Sequence, residues 1–337
     1  MANPLPSCLA AALAFWVGGA RPAQALNFNL IPDASTPQYV VDAFGTAGAA
    51  WSSVLGNDIT VNLGIGYTAM GSFTLGETSY NYVQQPYAAV TAALRAGATS
   101  ADDLSAYSHL QSGDNYSRLI NRTTDNPNGA GSATTYLNSL SPVSMTSPNA
   151  RALGFATAGS TDGSIRFNSG LPFDFNPADG ITSGQYDFVG VAMHEIGHVL
   201  GFASIINQLE QQPGTAANLP ATVLDLFRFS AASLQAGSGF IDTSSDTRPK
   251  YFSVDGGATA VAQFALGSTT GYQADHWKEF TFTGLMDPQT FSGSLRRIRP
   301  TDLRAFDVIG YQVVPEPSAG LILLGAGLVF WRFKAKL

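Results

Sequence analysis

The order of segments along this chain predicts an α+β fold, and three observations carry that reading. Helical and strand-like periodicities alternate without the regular spacing of a βαβ array, and Gly/Ser/Thr-rich stretches interrupt them. At 337 residues with 45% hydrophobic and 12% charged content, the chain can bury a full core in one large domain or two lobes sharing a cleft. That composition excludes disorder for the body of the protein. The formal charge of -7 comes from scattered single carboxylates, and the body has no Lys/Arg cluster, so a nucleic-acid footprint is missing.

Taken in order, "LNFNLI" from Leu26 alternates and predicts a first strand. "TPQYVVDAFGTAGAAWSSVLG" carries apolar residues at helical spacing, which predicts a helix from about Pro37 to Leu55. "DITVNLGIGY" predicts a second strand. "QPYAAVTAALRAGA" and "SADDLSAYSHL" predict two shorter helices, the second started by Ser100, whose hydroxyl can accept an N–H of the first turn. "GSIRFNSG" around Ile165 predicts another strand, expected to be a sheet edge along which an extended peptide could lie. Residues 111–149 and 211–217 shift to loop-forming composition and are expected to be irregular. Beyond Ser230 only short β-like pieces such as "RPKYFSV" appear, until "TDLRAFDVIGYQ" closes the body with a helix capped by Thr301 and stopped by Gly310.

The chemistry concentrates in "QYDFVGVAMHEIGHVLGF". His194 and His198 are four residues apart on a predicted helix, so both imidazoles lie on one face and can meet one cation. Glu195 is one residue round the helix, where a carboxylate could take a proton from water beside that cation. Gly201 follows His198 by three residues, and glycine can take the positive φ that a sharp turn after a helix needs. Ser204 stands where the long form of this motif has a third histidine, and a neutral hydroxyl is a poor ligand beside imidazole. The remaining imidazoles are His109 and His276. Glu210 and Asp225 are carboxylate alternatives, and Asn207 a weak one.

These motifs resemble the metzincin metalloproteases. The pair "ADHW" and "GLMDP" is similar to the third ligand and the Met-turn of leishmanolysin-like members, in which an inserted segment separates the glycine from the last histidine. The resemblance implies a zincin-type fold. A twisted mixed sheet and the active-site helix would form an upper lobe (26–201), and an irregular lower lobe (202–313) would deliver His276 as third ligand and Met286 as a floor under the metal. It also implies one catalytic Zn2+ and Glu195 as general base. The position two residues after Met286, where many metzincins carry a tyrosine, is Pro288 here, so the oxyanion donor stays unassigned.

Both termini read as address labels. Residues 1–25 combine an apolar run from about Leu9 to Val17 with a small-x-small site at Ala23, Gln24 and Ala25, a secretory signal expected to be cut after Ala25. Cys8 is the one cysteine of the chain, so the cut product would carry no thiol and no cysteine switch. At the other end (314–337), Pro315, Glu316 and Pro317 precede an apolar run from Ala319 to Trp331 and the basic residues Arg332, Lys334 and Lys336. That order resembles the PEP-CTERM sorting signal of Gram-negative bacteria, which implies an exosortase as processing partner and a transient inner-membrane anchor.

The expectation is therefore an exported zinc endopeptidase, at the cell surface or outside it, acting on protein or peptide substrates. A non-catalytic metal-containing protein of the surface or exopolysaccharide matrix is the alternative, and hydrolysis of a non-protein substrate is a third reading.

Overall fold

Buried positions recur every third or fourth residue along α1 (Gln38–Val54): Val40, Ala43, Phe44, Ala47, Gly48 and Trp51 all face inward. The computed structural model describes residues 26–71, 74–214, 219–267 and 271–314. The signal expected in residues 1–25 and the sorting motif with Pro315, Glu316 and Pro317 lie outside the described residues. Among the described residues, no helix is long and apolar enough to cross a membrane.

The fold is mixed α+β, with eight α-helices and several small sheets among the described residues. The longer strands are β1 (Asn27–Pro32), β2 (Thr60–Thr68), β3 (Gly76–Tyr80), β4 (Tyr82–Pro86), β5 (Tyr116–Ile120), β6 (Tyr136–Leu140), β7 (Pro142–Thr146) and β8 (Gly163–Asn168). The other helices are α2 (Tyr87–Gly97), α3 (Ala101–Ser108), α4 (Ser147–Ala152), α5 (Phe188–Leu200), α6 (Ile206–Gln211), α7 (Ala231–Ala236) and α8 (Pro300–Val308). The main sheet has the order β1-β2-β8-β3, with β1, β2 and β8 parallel and β3 antiparallel on the edge. One hydrophobic core runs from Leu26 to Tyr311 and holds residues from both ends of the described chain.

Helix α5 is buried along its whole length, packed between α1 on one side and β3 and β8 on the other. Phe188, its first residue, sits among the rings of Phe44, Phe167 and Phe175, with centroids 4.3–5.5 Å away. Trp51 of α1 donates its indole N–H to the carbonyl of Met193 at 2.9 Å, so the buried indole has its partner. These contacts set the height and rotation of α5.

Three expectations need correction. Residues 111–149 are not simply loop: they contain β5, β6 and β7. Their pairing is made by distant partners rather than local alternation. β7, for example, pairs with β4, and Ile241 and Asp242 pair with β5; Gln111 adds a local side-chain pair, accepting from the Ser117 N–H at 2.7 Å and donating to its carbonyl at 2.9 Å. The strand around Ile165, β8, is not an edge, because β2 and β3 pair with its two sides; β1 and β3 are the edges. Helix α8 begins at Pro300 with Arg299 as N-cap, and not at a Thr301 cap. Proline suits the first helical position, and the Asp302 carboxylate two residues later accepts the Arg299 N–H at 2.7 Å.

Helices α3 and α8 meet at Asp307, which accepts the Ser100 hydroxyl at 2.5 Å. Burial, with Asp103 and Asp102 nearby, pushes the Asp307 carboxyl up to about 6. Its ordinary unfolded value is about 3.9. The folded state therefore binds this proton more tightly, so its contribution to stability is present below about pH 4 and lost as pH rises through about 6. Thermal unfolding followed across that window should show a smaller loss for Asp307→Asn than for the parent.

Candidate metal centre

Asp187 starts α5 by accepting the Gly190 N–H at 2.8 Å, and its second oxygen accepts the Arg296 N–H at 2.9 Å. Gly201 ends the helix with φ +119°, a left-handed conformation that any Cβ would strain, and the Phe202 N–H closes onto the Gly197 carbonyl at 3.0 Å. The chain then leaves the site and returns at Ala274. Two backbone bonds fix the returning segment: Ala265 N–H to the His276 carbonyl at 3.0 Å and Trp277 N–H to the Met286 carbonyl at 2.9 Å. Trp277 is fully buried and stacks on Phe264 at 5.2 Å, which anchors the residue beside His276.

His194, His198 and His276 converge. Their Nε2 atoms are 3.1, 3.2 and 3.3 Å apart, and the three residues are only 6–7% exposed. Each Nδ1 faces a backbone carbonyl: Leu285 at 2.8 Å, Phe202 at 2.7 Å and Gln273 at 3.2 Å. A carbonyl can only accept, so a proton on Nδ1 satisfies each of these contacts and leaves the Nε2 lone pair facing the common centre; the Arg296 guanidinium also stands 3.2 Å from His194 Nδ1. Burial, then the Arg296 charge, holds His194 well below the ordinary imidazole value, and burial lowers His198 against the opposing pull of Asp275. Three buried imidazoles with converging Nε2 atoms form a group that can hold a metal ion.

Met286 is fully buried and packs against α5 at Gly197. A Cβ on Gly197 would stand 2.6 Å from its sulfur, so the helix is bare at that turn to admit the thioether. Glu195 is 9% exposed, and burial pushes its carboxyl up; the Thr78 hydroxyl of β3 donates to its Oε2. Two cavities of about 580 and 330 Å³ flank the site, and both are lined by Gly76, His194, Glu195, Gln273 and His276. The edge strand β3 walls the larger one.

The other ligand candidates are engaged elsewhere. His109 is exposed at the end of α3, its Nδ1 within 2.8 Å of the Ser105 carbonyl. Ser204 donates to Asp225 at 2.8 Å, and Asp225 also takes the Arg228 guanidinium at 3.0 Å and the Ile205 N–H at 3.0 Å. Glu210 accepts from Ser245 at 2.7 Å. Asn207 accepts the Ala274 N–H at 2.9 Å, which positions the His276 segment instead of adding a ligand.

Sequence reasoning missed four contributors: Thr78, Asp275, Arg296 and Asp302. Asp275 lies 3.2 Å from His276 Nδ1 and 3.8 Å from His198 Nδ1. Burial opposes its ionisation, yet the two imidazoles hold its carboxyl far below the usual range. Arg296 donates to the carbonyls of Leu285, Asp287 and Gln289, tying the turn around Met286 to the start of α5. The one local signal was the Asp275–His276 adjacency; the others are far from the motif in sequence.

No protein-family model, curated protein or solved structure matches this chain. The site is therefore described on its own geometry.

Two outcomes follow. His276→Ala should lose metal on dialysis after loading, while His109→Ala keeps it; equal content by mass spectrometry would remove His276 from the ligand set. Gly197→Ala should destabilise the parent by about 1–3 kcal/mol through overpacking against Met286. In a Met286→Ala background the same change should be neutral or stabilising in denaturant unfolding, because alanine is the better helix former.

Proposed function

We propose that the protein is an exported zinc-dependent endopeptidase of metzincin type. The observation that carries this reading is the three-histidine group in an open cleft with Glu195 beside it and an edge strand along one wall. A purely structural site has no use for that carboxylate, and closed zinc sites usually take a fourth protein ligand. Zinc is the ion of choice for this donor set: nitrogens bound at about 2.0–2.1 Å in tetrahedral geometry are about 3.3 Å apart, close to the 3.1–3.3 Å separations of the three Nε2 atoms.

When bound, zinc supplies Lewis acidity that polarises a peptide carbonyl and acidifies water. The rest of the work falls to side chains. Thr78 occupies Oε2 of Glu195, which leaves Oε1 to take the proton of the attacking water and to return it to the leaving amine. The raised carboxyl value of Glu195 suits a base that must also act as an acid. A peptide would add to the free side of β3, its backbone running along Gly76–Tyr80. Tyr80 and Tyr82 line the same cleft, and burial keeps both phenols protonated, so hydroxyl donors are present on the wall. The two terminal segments support export, processing by an exosortase and a temporary membrane anchor.

Glu195→Gln should retain zinc and lose peptide cleavage by about 10²- to 10⁴-fold, the usual worth of a general base. A mixed peptide library read by mass spectrometry checks it. Zinc retention with no cleavage by the parent either would favour the matrix-protein reading.

A further inference from the structure

Of nine large hydrophobic residues that stand exposed among the described residues, four lie between positions 280 and 295: Phe280, Phe282, Phe291 and Leu295. Phe280 and Phe282 are both 64% exposed. They are also two of the three non-glycine residues with positive φ among the described residues, at +59° and +52°. A bulky side chain avoids that backbone region, so the fold bears strain at two positions while leaving both rings in water. Scattered exposed hydrophobics need no explanation, but a strained cluster does.

The surroundings indicate what covers them. Phe282, Phe291 and Leu295 share one shallow pocket with Arg297 and Arg299, and Lys278 precedes Phe280 by two residues. Glu279 lies in the same loop, and Asp287 on the pocket wall is buried and pushed up to about 6 by that burial. The cations thus outnumber the acids locally, on a chain whose formal charge is -7. Phe282 and Phe291 stand 6.5 Å apart ring to ring, and exposed aromatic rings beside arginines match an anionic bilayer interface, where rings enter the headgroup layer and guanidinium groups meet phosphate.

We propose that the loop of Phe280 and Phe282, with Phe291, Leu295, Arg297 and Arg299, is a membrane-docking surface for anionic lipid. Its pocket shares Thr290 and Arg296 with the smaller cavity beside the histidines, so docking would hold the cleft next to the bilayer. The inference does not rest on the endopeptidase reading.

The test uses the full chain with Cys8→Ser and one environment-sensitive fluorophore, at Phe282→Cys or, as control, at Leu104→Cys, which is exposed on α3. Vesicles of phosphatidylcholine with and without phosphatidylglycerol are added, and metal retention reports that each variant is folded. The expected result is a blue shift at 282 with the anionic vesicles, quenching there by nitroxide-labelled acyl chains, and no change at 104. Arg297→Gln with Arg299→Gln should remove the shift. No response at 282, an equal response at both positions, or a response at 282 to peptide but not to lipid would each overturn the proposal. The apolar C-terminal segment can attach the chain to vesicles in every variant, which is why a local probe is read and not total binding.

Discussion

The carboxylate of Asp302 holds the returning half of the site in place. It accepts the indole N–H of Trp277 at 2.9 Å and the backbone N–H groups of Leu285, Met286 and Arg299 at 2.7, 3.2 and 2.7 Å. One fully buried side chain thereby joins the residue after His276, the turn of Leu285 and Met286 and the first turn of α8. Burying a carboxylate is costly, and burial does raise this one's proton affinity, but four donors offset much of that cost. Removing the acceptor would leave those donors unpaired in the interior. Gly284 belongs to the same constraint: a Cβ there would collide with Asp302, so the turn must be glycine where it approaches the carboxylate.

From that anchor the metal group follows with little freedom. Leu285 presents its carbonyl to His194, Phe202 presents its carbonyl to His198 just after the Gly201 turn, and Gln273 does the same for His276. Each imidazole is oriented by backbone, which cannot change rotamer, so the Nε2 lone pairs are aimed before any ion arrives. Burial favours the neutral form of His194 and His198, the form that ligation requires, and Met286 fills the space beside Gly197. Arg296 completes the frame from the opposite side by bonding the same turn and, through its backbone, Asp187 at the start of α5.

The cleft and the exposed aromatic loop are joined by one short segment. Residues 276–291 begin with a buried imidazole, pass through two strained phenylalanines in solvent, dive under α5 at Met286 and emerge again at Phe291. Trp277 and Met286, joined by a backbone bond, pin the base of the loop, so the rings between them are presented on a rigid stem.

Much of the fold class and half of the site were legible in the sequence because they depend on local periodicity. The 3.6-residue repeat of α1 and α5 puts Trp51 inward and His194 and His198 on one face, and Gly201 marks the end of its helix through a backbone angle that other residues avoid. His276 was legible only by resemblance to a known motif, since nothing in its own neighbourhood distinguishes a ligand from a packed histidine. Strands β5 to β7 were not legible, because polar segments become strands when a distant partner supplies the hydrogen bonds, as β4 does for β7. The exchange of β8 for β3 as edge strand has the same cause: strand order is a property of the whole sheet. By itself, then, the sequence determined which residues could act on a metal and which helix carries two of them. Only the tertiary structure decided that Thr78, Arg296 and Asp302 serve that site, because carboxylate, guanidinium and hydroxyl partners are chosen by distance in space, across separations of up to 117 residues between Thr78 and Glu195.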